Sequence, residues 1–359
     1  KKQNDRIIVI TVGRRGFTFH YLSSIHASCA ANSKRRRSTN FSGRYPHMTK
    51  TIKPTAIFLL GPTAAGKTQI CLELSKELPI EVISVDSALV YRHMNIGTAK
   101  PIGEELTNCP HHLVDIIDPN EHYSAAKFKN DAERLIEEIT LRGAIPLLAG
   151  GTMMYYKAFK EGLNKLPERN TQIRNEIEID ARKHGWQYIH KKLREIDPET
   201  ANRLSPNDSQ RIQRAMEVFQ VTGQPMSKLI LKESPNKTDI ETLDIALIPE
   251  NRAILHDCIA RRFIGMIEQG LVDEVINLKK NWNLTLEMPS MRCVGYRQTW
   301  EFLENKYDEA SLIEKGCAAT RQLAKRQLTW LRSLTIKHVF DPYANNTLCL
   351  LYTSPSPRD

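Results

Sequence analysis

Residues 61–68 read Gly-Pro-Thr-Ala-Ala-Gly-Lys-Thr, a complete G-x-x-x-x-G-K-[ST] phosphate loop. Its flanks narrow the fold further. The apolar run Ala56-Ile57-Phe58-Leu59-Leu60 enters it, and a helical pattern of Ile70, Leu72, Leu74 and Leu78 leaves it. Between a buried strand and a helix, such a loop curls backbone N–H groups around a phosphate and adds the positive end of the helix. Gly61, Pro62, Thr63, Ala64, Ala65, Gly66, Lys67 and Thr68 are therefore a candidate phosphate or diphosphate site. Lys67 brings a point charge and Thr68 a hydroxyl suited to Mg²⁺. The bland reading of the same string is a Gly-rich turn in an ordinary α/β protein.

Strand–turn–helix alternation continues downstream. Strands are expected at residues 81–85, ending at Asp86, at 112–116 after Pro110, and at 144–149 before Gly150-Gly151-Thr152. A helix from about Ser124 places Ala125, Phe128, Ala132, Leu135, Ile136 and Ile139 on one face. This pattern predicts an α/β fold with a parallel sheet flanked by helices. From about Leu166 to Ser234 the chain turns polar and helical, with no convincing strand. Strand character returns at 244–248, and long helices follow over 251–280 and 309–333. The expected organisation is a core over 48–164 and 241–343, interrupted by a helical insertion over 165–240.

Charge is unevenly distributed. Residues 1–47 hold ten Lys and Arg against one acid, Asp5, so nine of the ten net positive charges lie in this leader. The basic pI therefore says little about the partners of the folded body, and any nucleic-acid contact must rest on local clusters. The leader is expected to lie outside the fold, as translated sequence upstream of an initiating Met48, as an organellar transit peptide, or as a basic arm. Residues 344–359, ending in Ser-Pro repeats, are expected to be a non-structural tail. The seven cysteines are scattered and none forms C-x-x-C, so neither a disulfide framework nor a zinc site is indicated and a reducing compartment is expected. No apolar run is long enough to span a bilayer.

Several residues carry possible chemistry. Asp86 ends a strand where ligands of open α/β sheets bind, a place that favours a metal ligand, a general base or an acceptor for a substrate amine over the bland reading of a helix N-cap. Thr152, after two glycines, either points into the same crevice or caps the next helix. Arg211 and Arg214, three apart, share a helical face that suits phosphates but that would ordinarily be solvated. The stretch 292–297 mixes two arginines, a glycine and an aromatic, which suits RNA contacts. In 320–327, Arg321 and Lys325 share one helical face, which is as much a surface helix as an RNA contact. Arg261 and Arg262 read as a solvated pair on spacing alone.

Taken together, these segments fit a family. The motifs at 61–68, 83–91, 96–101, 150–152, 206–218, 292–298 and 320–327 occur in order, and the chain over about 52–341 resembles the bacterial tRNA dimethylallyltransferases (tRNA isopentenyltransferases). The resemblance implies a P-loop NTPase-like sheet with an all-helical insertion that grips tRNA. It implies transfer of a dimethylallyl group from dimethylallyl diphosphate to N6 of the adenosine 3′ of the anticodon, in tRNAs reading codons that begin with U. By resemblance, Asp86, Thr63, Lys67 and Arg262 are catalytic, the loop holds the diphosphate, and Mg²⁺ sits at Thr68. Contacts to tRNA are implied for Asp86, Ser87, Ala88, Leu89, Thr152 and Arg174, and for Gln210, Arg211, Ile212, Gln213 and Arg214. They are implied too for Arg292, Cys293, Val294, Gly295, Tyr296 and Arg297, and for Thr320, Arg321, Gln322, Leu323, Ala324, Lys325, Arg326 and Gln327. The anticodon stem-loop is the expected partner of a monomeric cytoplasmic enzyme with no membrane contact; a transit peptide in the leader would make it organellar. Cys258 departs from the family, which often carries arginine there, and the family's eukaryotic cytosolic zinc finger has no counterpart here.

Three other functions compete. An adenylate isopentenyltransferase would need neither the helical insertion nor the basic helix. A small-molecule kinase would want a separate Walker-B-type Asp, which Asp86 would have to replace. A non-catalytic RNA-binding module would leave Lys67, Thr68 and Asp86 without a use.

Overall fold

The computed structural model describes residues 6–13, 16–23, 56–232 and 235–344. The rest of the leader and residues 345–359 of the expected tail lie outside the described residues. Within the leader, β1 (Arg6–Gly13) and β2 (Gly16–Ser23) form an antiparallel hairpin that is a sheet of its own. The β-branched run Ile7-Ile8-Val9-Ile10-Thr11-Val12 explains strand formation in a segment otherwise read as unstructured.

The chain divides into two compact units, residues 1–156 with 239–359, and residues 157–238. The first unit holds a six-stranded sheet of β3 (Ala56–Leu60), β4 (Ile80–Val85), β5 (His111–His112), β6 (Ile145–Gly150), β7 (Thr242–Leu247) and β8 (His338–Phe340). Its order is β5-β4-β6-β3-β7-β8, and every pairing is parallel. β3 is buried along its whole length, as a central strand covered on both faces must be. The buried run Ile57, Leu59, Ile70, Leu74, Val82, Leu147 and Ile245 forms the core under α1 (Lys67–Ser75). α2 (Glu104–Asn108) precedes β5, and α3 (Ala125–Leu141) starts where expected, with Ser124 Oγ accepting from Lys127 N. α4 (Met153–Glu161) follows β6.

Two strands differ from the pattern read in sequence. The apolar stretch 112–116 predicts a five-residue strand, but the strand is His111–His112, because Leu113 and Asp115 take positive φ of 61° and 55°. The backbone turns there instead to donate Asp115 N to Leu89 O and Ile116 N to Val90 O. β8 falls in a segment with no strand expectation and pairs with β7.

The second unit is helical: α5 (Thr171–His184), α6 (Trp186–Ile196), α7 (Pro198–Arg203), α8 (Ser209–Thr222) and α9 (Met226–Lys232). Asn170 and Asp208 cap α5 and α8. Ile177, Ile189, Leu193, Ile212 and Met216 form its buried centre.

Back in the first unit, the expected helix over 251–280 is two helices, α10 (Arg252–Glu268) and α11 (Leu271–Asn281), because Gly270 at φ 96° breaks it. α12 (Tyr296–Leu303) and α13 (Glu309–Ser333) complete the unit. A second core of Tyr91, Met94, Phe263, Leu271, Tyr296, Trp300 and Leu312 packs these helices together.

Candidate active site

The carboxyl ends of β3, β4 and β6 meet at one point, where the strand order reverses. Gly61 N donates to Gly150 O at 3.2 Å, and Gly151 N and Thr152 N both donate to Val85 O. A Cβ on Gly150 would lie 2.1 Å from Val85 O, so only glycine lets these strand ends approach. Asp86 leaves β4 beside this junction.

Asp86 is half-buried, and its two oxygens differ. Oδ1 accepts from Ala88 N at 2.8 Å, a turn cap that fixes the carboxylate. Oδ2 has no partner among the described residues. The capping and functional readings of Asp86 are thus compatible. Thr152 does not cap α4 through its side chain; its Oγ1 accepts from Ser87 N at 3.0 Å and holds the turn after Asp86 in place.

The phosphate loop leads into α1 with Gly66 in the left-handed region at φ 69° and no side-chain cap. The N–H groups of Ala64, Gly66, Lys67, Thr68 and Gln69 have no partner among the described residues, as an anion-binding helix start requires. Lys67 Nζ is folded back onto Gly61 O at 3.0 Å and Pro62 O at 2.7 Å. Burial pulls its pKa from 10.5 down to about 8; Asp86 opposes this and Arg262 adds to it. Arg262, on α10, is likewise lowered by burial and supported by Asp86. Its Nη2 donates to Thr98 O at 3.2 Å. One carboxylate therefore sits within the field of two cations at the mouth of the loop.

The neighbouring 95–98 turn is built around Glu274 of α11. Its carboxylate accepts from Asn95 N, Ile96 N and Gly97 N and from the hydroxyl of Tyr296. A Cβ on Gly97 would meet the Tyr296 ring at 2.5 Å. Tyr296 is fully buried, so the aromatic of the 292–297 stretch supports this turn and does not offer a face for base stacking. Gly295 is also buried, with φ 94°. Arg292 and Arg297 are exposed, Arg297 pairing with Glu301. Cys293 and Val294 are half-buried, and burial pushes the Cys293 thiol up to about 12, with Asp86 adding to the rise.

Gln327 of α13 enters the same centre. Its Oε1 accepts from Thr63 N at 2.8 Å and its Nε2 donates to Gly151 O at 2.9 Å. The sequence offers no signal for this role, because the partners are 264 and 176 residues away. Tyr343 is a second residue not singled out by its sequence. Its hydroxyl donates to the carbonyl of Ala64, a non-glycine residue at φ 64°.

Further along α13, Arg321, Gln322 and Lys325 face α10 across a groove of about 330 Å³. Arg252, His256, Thr329 and Arg332 complete its polar lining, over a floor that includes Leu255, Ala324 and Leu328. It contains no carboxylate, and Arg252, Arg321, Lys325 and Arg332 have no ion-pair partner among the described residues. Thr320, whose hydroxyl donates to Gly316 O, and Leu323 are half-buried, and Arg326 is exposed. Ser87 is exposed, and Ala88 and Leu89 are half-buried.

In the helical unit, the expected basic face divides: Arg214 turns inward while Arg211 stays exposed. Arg174 Nε and Nη2 donate to the two oxygens of Glu217 at 2.9 and 3.1 Å, and Arg214 Nη1 joins at 2.7 Å. Glu217 is fully buried. Burial raises its pKa, but hydrogen bonds from Arg174, Arg214 and Asn170 N outweigh it and hold the carboxyl below its ordinary range. Gln213 is buried and donates to Arg174 O, and Ile212 lies in the unit's core. Gln210 and Arg211 are exposed, Arg211 pairing with Asp208.

An open phosphate loop beside one half-free carboxylate is the arrangement of an enzyme site suited to a phosphorylated ligand. Comparison with known proteins narrows this. A family model described as IPP transferase matches residues 89–334. The tRNA dimethylallyltransferase of Neisseria meningitidis is 53% identical over 82% of this chain and 95% of its own length. The crystal structure of a Staphylococcus epidermidis tRNA isopentenylpyrophosphate transferase is similar with a TM-score of 0.57 at 32% identity, covering 83% of this chain and 96% of that one. A eukaryotic dimethylallyltransferase acting on tRNA reaches a TM-score of 0.67 at 26% identity, over 81% of this chain and 75% of that one. The chain belongs to the tRNA dimethylallyltransferase family, and it is a prenyl transferase with the family's phosphate-loop fold.

Proposed function

We propose that this protein transfers the dimethylallyl group of dimethylallyl diphosphate to N6 of the adenosine immediately 3′ of the anticodon, in tRNAs reading codons that begin with U. The observation that carries this reading is Asp86: one oxygen is fixed by the turn and the other is free, beside Lys67 and Arg262 and an open phosphate loop. In the reaction the amine nitrogen bonds to C1 of the allyl group while the C1–O bond breaks. Diphosphate departs with the electron pair, and the nitrogen gives up one proton, which Asp86 Oδ2 accepts. The loop N–H groups, Lys67 and Arg262 meet the charge that develops on the leaving diphosphate. The target base must leave its stack to bring N6 to this crevice.

Magnesium fits this site in one way. Among the described residues no three His, Cys, Asp or Glu come together to hold a metal. Its protein ligand would be Thr68, with diphosphate oxygens and water completing the shell, as this hard cation favours with phosphorylated substrates. When bound it neutralises diphosphate charge. The unpaired cations Arg252, Arg321, Lys325 and Arg332 suit the tRNA backbone, and the protein works as a monomer in the cytoplasm. No helix among the described residues is long and apolar enough to cross a membrane.

Labelled dimethylallyl diphosphate offered with an anticodon stem-loop, and separately with AMP, tests the assignment. Label is expected in the RNA alone; label in AMP would replace tRNA with a free nucleotide as acceptor. Asp86→Asn should lower kcat by about 10²- to 10⁴-fold with stem-loop affinity little changed. Near-normal turnover would remove Asp86 as the base.

A further inference from the structure

Gln327 lies in a helical segment that the family resemblance gives to tRNA, yet both atoms of its amide are bound inward. Oε1 takes the N–H of Thr63, the first amide of the loop's anion-binding row, and Nε2 is tied to Gly151 O. The amides toward the helix, at Gly66, Lys67 and Thr68, stay open. The amide also fills the space between the loop and the 150–151 turn: a Cβ on Gly151 would lie 2.3 Å from Gln327 Nε2 and 3.0 Å from Gly61 O. Phosphate loops hold a polyphosphate along a row of backbone N–H groups. A row closed at its entry and open at its helical end has room for fewer phosphoryl groups.

Resting on the proposed function, we propose that Gln327 is a positioning residue that sets the length of polyphosphate the loop accepts, favouring a diphosphate over a triphosphate. It does so by occupying the Thr63 amide and the space beside it, a repulsive element of specificity rather than a contact to substrate. Loss of the strap should admit a third phosphoryl group and loosen the hold on two.

The test is calorimetric binding of inorganic pyrophosphate and tripolyphosphate to the full chain with Mg²⁺, alongside KM for dimethylallyl diphosphate and for an anticodon stem-loop. In the unaltered protein pyrophosphate should bind more tightly than tripolyphosphate. Gln327→Ala should narrow that preference about tenfold and raise KM for the donor, with KM for the stem-loop within about twofold; tenfold corresponds to about 1.4 kcal/mol. Gly151→Ala leaves Gln327 in the chain but forces its amide away, and should narrow the preference in the same direction. This second variant decides the matter if Gln327→Ala does not fold. An unchanged preference in a folded variant, or a rise in stem-loop KM alone, would overturn the inference and return Gln327 to tRNA contact. Absence of prenyl transfer by the unaltered protein would instead overturn the proposed function, whatever the phosphate preference.

Discussion

Lys67 is set between burial and Arg262, which discharge it, and Asp86, which keeps it charged. With its pKa at about 8 in the free protein, the ammonium is present at neutral pH and is lost as pH rises through 8. Because kcat/KM reports ionisations of the free enzyme, kcat/KM for the donor should fall above about pH 8. Lys67→Ala should lower it throughout and remove that limb. Stability runs the other way. The fold favours neutral Lys67, so its burial costs nothing above pH 10.5 and its full cost is reached below about pH 8. A pH–rate profile that stays flat to pH 10 would mean that Lys67 does not meet the donor as a cation. Much at this scale was legible beforehand. Asp86 and the loop announce themselves because their chemistry depends on neighbours in sequence and on a strand end. Tyr296 misleads, because composition marks it as a stacking aromatic and only the packing of α11 against the 95–98 turn shows it buried. Gln327 and Tyr343 are silent because their partners lie hundreds of residues away.

Elements reveal a different division. The two helical arginines read as either a phosphate grip or a solvated face fall into neither class together. Arg211 is exposed, while Arg214 and Arg174 converge on Glu217. Arg174→Ala strips the two Arg174 bonds from the buried Glu217 carboxylate and leaves Arg214 and Asn170 N to hold it. It should destabilise the full chain by about 1.5–3 kcal/mol, the range of hydrogen bonds to a charged group, seen as an early loss of helical signal on heating. Arg211→Ala should leave the melting curve unchanged. The carboxyl's lowered pKa adds stability that is present above about pH 4.5 and lost as pH falls below it. The strands ran close to expectation, since buried β-branched runs are a strong local signal. One exception, at Leu113 and Asp115, arises from left-handed backbone that no apolar pattern encodes. Arg174 and Arg214 could be read as cations, but the sequence could not say whether a carboxylate would meet them.

For the molecule as a whole, the net positive charge is a poor guide, since most of it lies in the leader. What counts is the groove between α10 and α13, where four cations stand without a carboxylate partner. Replacing Arg252, Lys325 and Arg332 together with alanine should weaken stem-loop binding. It should also flatten the dependence of log Kd on log salt by roughly 0.7–0.9 for each phosphate that the protein no longer neutralises. A slope unchanged from the parent would make this groove an ordinary surface. The fold also imposes an order of events. The phosphate loop is made early in the chain, yet the side chains that fasten it, Gln327 and Tyr343, lie 264 and 279 residues further on. During synthesis the chain emerges at roughly 5–20 residues per second, so the loop waits tens of seconds, unlatched, for its fasteners. The fastened phosphate loop is thus among the last features a nascent chain completes, and a ribosome that stalls before Tyr343 releases a chain whose loop is still unlatched.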